Sequence, residues 1–354
     1  MRIQSIVNLL TWKRKSSTKT TYHTACFLTT LCYNINYVIT YHFYSMDTMR
    51  LITSIFVVFL LFGWPARATS PTVVVSIKPI HSLVSGVMEG VGVAKLLIRG
   101  NQSPHNYALK PSDIRSLNEA TVVFWIGEEL ESFLVKPLDS LDSNGPIVDL
   151  IDSNDVKLLK TREGGVWEGH DEENHSEHHH SSTDPHIWLD PQNARAIVKK
   201  IVAILSESDP KNKGAYQKNA SSVDRKLQSL AEELRSTLGP VHKAPYIVFH
   251  DAFQYFERRF KTNAVGSLTV NAARPPGARR LYEVRKRIVE TGTRCVFKEP
   301  QINSKLVASV TEGTSAKIAT LDPLGAALTP GPDAYFQLMR NIADTIRACA
   351  TPAQ

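Results

Sequence analysis

The chain has 354 residues, 42% hydrophobic and 21% charged, with a formal net charge of +7. That length suits about two domains. The composition excludes a wholly disordered, collagen-like or coiled-coil chain, and one long apolar run excludes a multi-span membrane protein.

The charge is unevenly placed. Residues 1–68 carry seven basic side chains (Arg2, Lys13, Arg14, Lys15, Lys19, Arg50, Arg67) against Asp47 alone, which leaves 34 basic and 33 acidic residues over 69–354. The basic balance is therefore mostly a leader effect, and no nucleic-acid partner is expected.

Arg50 precedes an apolar run of about fourteen residues, followed by Ala66-Arg67-Ala68. This pattern predicts a secretory signal peptide over 49–68, cleaved near Ala68. A membrane anchor would need about 20 apolar residues. Signal peptides begin at the N-terminus, so residues 1–48 are expected to be an upstream extension, with translation starting at Met49 or Met46. No Cys follows the run, so lipid attachment there is not available. The mature chain is expected in an oxidising compartment, most simply a bacterial periplasm.

Val73–Ile77 is β-branched and predicts a strand, followed by a helix over Ile80–Glu89. Val93–Ile98 predicts a second strand, Pro111–Asn118 a helix with Ser112 and Asp113 near its start, and Thr121–Ile126 and Ile147–Leu150 two more strands. Residues 161–185 are polar and low in complexity, and predict a mobile loop.

Beyond Pro185, apolar Ala194, Ile197, Val198, Ile201, Val202 and Leu205 predict a helix over Asn193–Ser206. Lys211–Leu238 reads as one long helix striped by Leu227, Leu230, Leu234 and Leu238, ended by Gly239-Pro240. A helix of about 27 residues spans about 40 Å, too long for an ordinary crossover. A second alternation follows: strands at Tyr246–Phe249, Ala264–Leu268, Cys295–Lys298 and Lys317–Leu321, with helices at Ala252–Phe260, Ala278–Thr291, Ser304–Thr314 and Asp333–Cys349. Alternation of this kind predicts α/β architecture with mostly parallel sheets. The chain thus divides into an N-terminal α/β lobe (69–209), a connecting helix (210–240) and a C-terminal α/β lobe (241–354).

Cys295 and Cys349 remain in the mature chain. In an exported protein two cysteines suggest one disulfide, with two buried thiols as the alternative.

Three histidines sit at predicted strand ends or in loops: His105 after Gln102-Ser103-Pro104, His186 in Asp184-Pro185-His186-Ile187-Trp188-Leu189-Asp190-Pro191, and His250 after Tyr246–Phe249. Ligands of open α/β sheets bind beyond the carboxyl ends of strands, and three imidazoles there suit zinc. A lone His is more often a hydrogen-bonded residue than a ligand, and these three are far apart in sequence. Asp322, in Leu321-Asp322-Pro323-Leu324-Gly325, suits an oxygen ligand, a supporting group or a turn cap.

Taken in order, these segments resemble the ZnuA-like metal-binding subunits of bacterial ABC importers. The likeness rests on Ser76-Ile77-Lys78-Pro79, Pro104–Asp113, Asp184–Pro191, Phe249–Phe256, Lys298-Glu299-Pro300-Gln301 and Leu321–Gly325, and covers nearly all of residues 70–350. It implies two lobes bridged by a rigid helix, with Zn2+ held between them by His105, His186 and His250. His at the third position implies zinc over manganese, in line with ligand preference. Asp322 stands where some members place a carboxylate ligand. Some members carry Glu directly before the first His; Pro104 stands there instead, so either Asp322 or a water completes the shell. The Cys295–Cys349 pair matches a disulfide of such proteins.

The segment 163–183 resembles the acidic, His-rich loop of that family. His170, His175, His178, His179 and His180, among Asp171, Glu172, Glu173 and Glu177, imply an auxiliary weak zinc site, against the alternative of a solvated linker. The resemblance further implies a monomeric solute-binding protein, not an enzyme, that hands zinc to an ABC permease. The Walker motif of an ATPase is absent from the sequence, so ATP would be hydrolysed on a separate subunit. Manganese or iron binding in the same family, and a zinc hydrolase, are the other readings. The second lacks a His-Glu-x-x-His motif or a Ser or Cys nucleophile motif.

Overall fold

A computed structural model of the chain describes residues 71–141, 145–162, 183–270, 276–301 and 305–351. The proposed leader, the upstream extension and His170, His175, His178, His179 and His180 lie outside the described residues. Residues 70–354 group as one compact unit.

The first half builds β1 (Val73–Val75), α1 (Lys78–Val87), β2 (Lys95–Leu96), α2 (Pro111–Asn118), β3 (Val122–Trp125), α3 (Val135–Asp139) and β4 (Ile147–Asp149). Its strands form a parallel sheet in the order β2-β1-β3-β4. β1 and β3 are central and buried on both faces, which is why they read as unbroken apolar runs. The strand expected over Val93–Ile98 is regular for two residues only. It lies at the sheet edge, where Val93 is 89% exposed, and single backbone bonds from Leu97 and Ile98 to β1 and Ser76 continue the pairing.

α4 (Pro191–Ser208) and α5 (Lys213–Leu238) follow, separated by a 3₁₀ turn at Pro210–Asn212. The turn consumes the first residues of the helix expected from Lys211. Asp190 caps α4 by accepting from Gln192 N. α5 buries Leu227, Leu230, Leu234 and Leu238. Each such leucine stabilises the fold by about 1.5–3 kcal/mol.

The second half builds β5 (Pro245–His250), α6 (Gln254–Phe260), β6 (Asn263–Thr269), α7 (Ala278–Thr291), β7 (Cys295–Lys298), α8 (Lys305–Thr311), β8 (Lys317–Thr320) and α9 (Ala334–Ala350). Its parallel sheet runs β6-β5-β7-β8. The two parallel α/β lobes and the long helix match the sequence expectation.

The lobes share a core. α5 packs on α4 and α1 of the first half and on α9 of the second, and α9 itself reaches α1. One apolar cluster accordingly contains Val74, Phe124 and Trp188 together with Phe256, Leu321, Tyr335 and Met339. Cys295 and Cys349 form a disulfide, Cα–Cα 6.0 Å, that ties β7 to α9. Closing a 54-residue separation stabilises by about 4 kcal/mol on the chain-entropy account.

Candidate metal centre

Three separate backbone segments deliver the three histidines. His105 follows β2 in a loop held by Tyr107, whose hydroxyl donates to Asp113 Oδ2 at 2.8 Å. The same carboxylate oxygen accepts from Lys110 N at the start of α2. His186 precedes the 3₁₀ turn Ile187–Leu189, and His250 ends β5. The ligating atoms of His105, His186 and His250 all lie within 4.8 Å of one another. His186 Nε2 and His250 Nε2 are 3.3 Å apart. Two nitrogens each about 2.05 Å from a tetrahedral zinc would be about 3.4 Å apart.

The rings are aimed by carboxylates. Asp184 Oδ1 accepts from both His186 N (3.0 Å) and His186 Nδ1 (2.8 Å). Glu299 Oε1 accepts from His250 N (3.2 Å) and His250 Nδ1 (2.5 Å). With Nδ1 carrying the proton in both rings, each Nε2 presents a lone pair to the same point, the usual arrangement behind a metal-ligating His.

Burial acts on all three rings. It drives His186 well below the usual imidazole value, and the neighbouring His250 adds to this. Burial does the same to His105, reinforced by His186 and His250. For His250, burial pulls downward but the Glu299 charge and hydrogen bond outweigh it, so its value rises. Burial also pushes Asp184 up to about 7. Neutral imidazoles are what a metal requires.

The cavity beside the rings has apolar walls from Pro104, Trp188, Pro323 and Leu324, and polar ones from Glu299 and Gln301. Asp322 is not brought into the histidine cluster. Its Oδ1 accepts from Leu324 N (2.9 Å), Gly325 N (3.0 Å) and Gln301 Nε2 (3.2 Å), and its Oδ2 from Ala326 N (2.6 Å). It caps the turn, one of the roles weighed from sequence. Gly325 takes φ +69° there, a conformation costly for other residues.

Three contributors carried no assigned role in the sequence reading. Asp184 and Glu299 orient rings, and their placement beside Pro185-His186 and opposite β5 was the available signal. Lys78 donates to the carbonyls of Gly325 (2.5 Å), Ala326 (2.8 Å) and Leu328 (2.8 Å), fixing the turn that carries Pro323 and Leu324.

A sequence profile described as "Zinc-uptake complex component A periplasmic" matches residues 73–349. The high-affinity zinc uptake system protein ZnuA of Brucella abortus (strain 2308) is 45% identical over 303 residues, covering 78% of this chain and 91% of that protein. The protein of the same name from Yersinia pestis is 34% identical over 300 residues, covering 82% and 94%. Among solved structures, a crystal structure of ZnuA aligns with TM-score 0.67 at 24% identity, covering 80% of this chain and all of that one. The periplasmic zinc-binding protein TroA from Treponema pallidum aligns with TM-score 0.68 at 22% identity and the same coverage. These two show a shared fold.

Proposed function

The chain belongs to the family of periplasmic zinc-uptake components A, and we propose that it is the zinc-capturing subunit of an ABC importer. It binds Zn2+ in the periplasm and passes it to a permease driven by a separate ATPase subunit, acting as a monomeric transport protein rather than a catalyst. The observation that carries this reading is the convergence of three imidazoles, two of them backed by carboxylates, on one point. His105, His186 and His250 are the zinc ligands, and the fourth corner is taken by a water, since Asp322 lies outside the cluster of ligating atoms and faces the N–H groups of 324–326. A neutral three-imidazole set favours zinc over manganese, which prefers oxygen ligands. An auxiliary weak site in the His-rich segment 163–183 and an N-terminal signal peptide complete the proposal.

Calorimetric titration of the chelator-stripped protein with zinc and manganese tests it. One tight zinc site is expected, and His105→Ala, His186→Ala and His250→Ala each lower its affinity at least about a hundredfold, the loss of one of three protein ligands. Deleting 168–182 removes only weaker heat. Wild-type affinity in all three Ala variants refutes the ligand set, and tight manganese with weak zinc refutes the cargo.

A further inference from the structure

One polar wall of the histidine cavity has no task in the ligand set. Gln301 lies just past β7 and lines the cavity with His105, His186 and His250. Its Nε2 donates to Asp322 Oδ1 at 3.2 Å. That carboxylate is itself pinned by the N–H groups of Leu324, Gly325 and Ala326. Such a carboxylate accepts, so the amide of Gln301 has one tenable orientation; the opposite one sets two oxygens against each other. Asp322 thus fixes Gln301 from behind, and Oε1 is the atom left over.

Gln301 Oε1 is buried and has no hydrogen-bond partner among the described residues. A buried acceptor left unpaired costs about 1–3 kcal/mol. The neighbouring walls do not relieve it. Pro104, Pro323 and Leu324 offer no side-chain donor, and Trp188 Nε1 already donates to Pro323 O at 2.9 Å. His186 and His250 have their Nδ1 atoms engaged with Asp184 and Glu299.

The cargo supplies what is missing. Three imidazoles leave zinc one open position, and a water on the ion is a strengthened donor because the metal charge polarises its O–H bonds. We infer that Gln301 Oε1 is the acceptor that holds the water at the fourth corner of the bound zinc; this rests on the three-histidine reading above. Gln301 is a positioning residue, and Asp322 acts through it. The arrangement also bears on selectivity. A neutral amide at this place keeps carboxylate oxygen out of the shell, and carboxylate is what manganese favours.

The test uses the full chain, stripped by chelator and reloaded with zinc, manganese or cobalt(II), with Gln301→Leu and Gln301→Glu beside the wild type. Zinc affinity is read by chelator competition, and the open corner by the visible d–d bands of the cobalt form with and without azide. In the wild type azide replaces the water and shifts the bands. Gln301→Leu is expected to weaken zinc roughly tenfold and alter the cobalt bands, while the metal-free protein keeps the wild-type circular dichroism. Gln301→Glu supplies a carboxylate oxygen to the corner, so the azide response disappears and the zinc-to-manganese affinity ratio falls at least about tenfold. Gln301→Leu matching the wild type within twofold, with the same azide response, overturns the inference. So does a Gln301→Glu protein that keeps both the azide response and the wild-type ratio. A wild type with no tight zinc site fails the functional reading itself. Tight binding lost in His186→Ala but untouched in both Gln301 variants fails this inference alone.

Discussion

Glu299 takes two donors from His250, the backbone N–H and the ring Nδ1, and so fixes both the place and the tautomer of that ring. Removing such a partner typically costs 10–100-fold in metal affinity. Glu299→Leu is therefore expected to weaken zinc by about that factor, and Glu299→Gln by less, because an amide oxygen still accepts from Nδ1. Chelator competition measures both; a Leu variant equal to the wild type removes the orienting role. At this scale the three candidate histidines were legible in the sequence, but their supports were not. His105, His186 and His250 could be picked out because strand ends and loops in an α/β chain converge on one crevice. Glu299 stands 49 residues from His250, and only the β5–β7 pairing brings the two strand ends side by side. Asp322 alone reads best as a cap and only the family resemblance makes it a ligand, because a carboxylate at a strand end suits either until the following backbone is placed.

At the scale of elements, the β3 end contains a buried charge that the zinc site does not use. Glu131 is fully buried, with Ser76 Oγ donating to Oε1 (2.5 Å) and the N–H groups of Ile126 and Gly127 donating to Oε2 (3.0 and 3.1 Å). Burial pushes it up to about 7 despite these donors, and the charge of Asp149 adds to the rise. Below about pH 4.5 the carboxyl is protonated folded and unfolded, and it imposes no cost. Between there and pH 7 the folded state holds the proton that the unfolded state has released, so stability falls as pH rises. The loss totals roughly 3 kcal/mol. Asp184 and Glu257, each also pushed to about 7 by burial, slope the same way. A difference curve isolates Glu131: denaturant unfolding of metal-free Glu131→Gln against wild type is expected to show a flatter profile from pH 4.5 to 7. Parallel profiles would show that Glu131 does not titrate there. The element pattern itself was largely legible. The leucine stripe gave the long helix because its period is helical. β2 came out short because an edge strand needs only partial pairing, which residue type does not encode.

The whole molecule raises the question of how far two lobes can move. The sequence gives two lobes joined by one long helix but not the breadth of the junction, since an apolar stripe does not name the helix it packs against. The structure joins the lobes through more than that helix. α5 and α9 pack across both halves, and the apolar cluster is continuous. Polar ties cross as well: Lys78 to three carbonyls of 325–328, Arg259 to Asp190 through two bonds (2.6 and 2.7 Å), and Tyr255 to Asp184 O (2.8 Å). Arg162 spans to Asp251 and Glu257 beside His250. Opening the lobes like a hinge would expose apolar surface at about 25 cal/mol per Å² and leave Lys78 without its carbonyls, a cost that one incoming ion would have to offset. Zinc binding is therefore expected to act on side chains and on the His105 and Pro323–Leu324 loops, with the lobes nearly fixed. Small-angle scattering of residues 70–354, zinc-free and zinc-loaded, is expected to give radii of gyration near 19 Å that agree within about 1 Å. A change of several ångströms would show the continuous core to be breakable by one ion. The permease would then be reading lobe closure rather than the local surface around the metal.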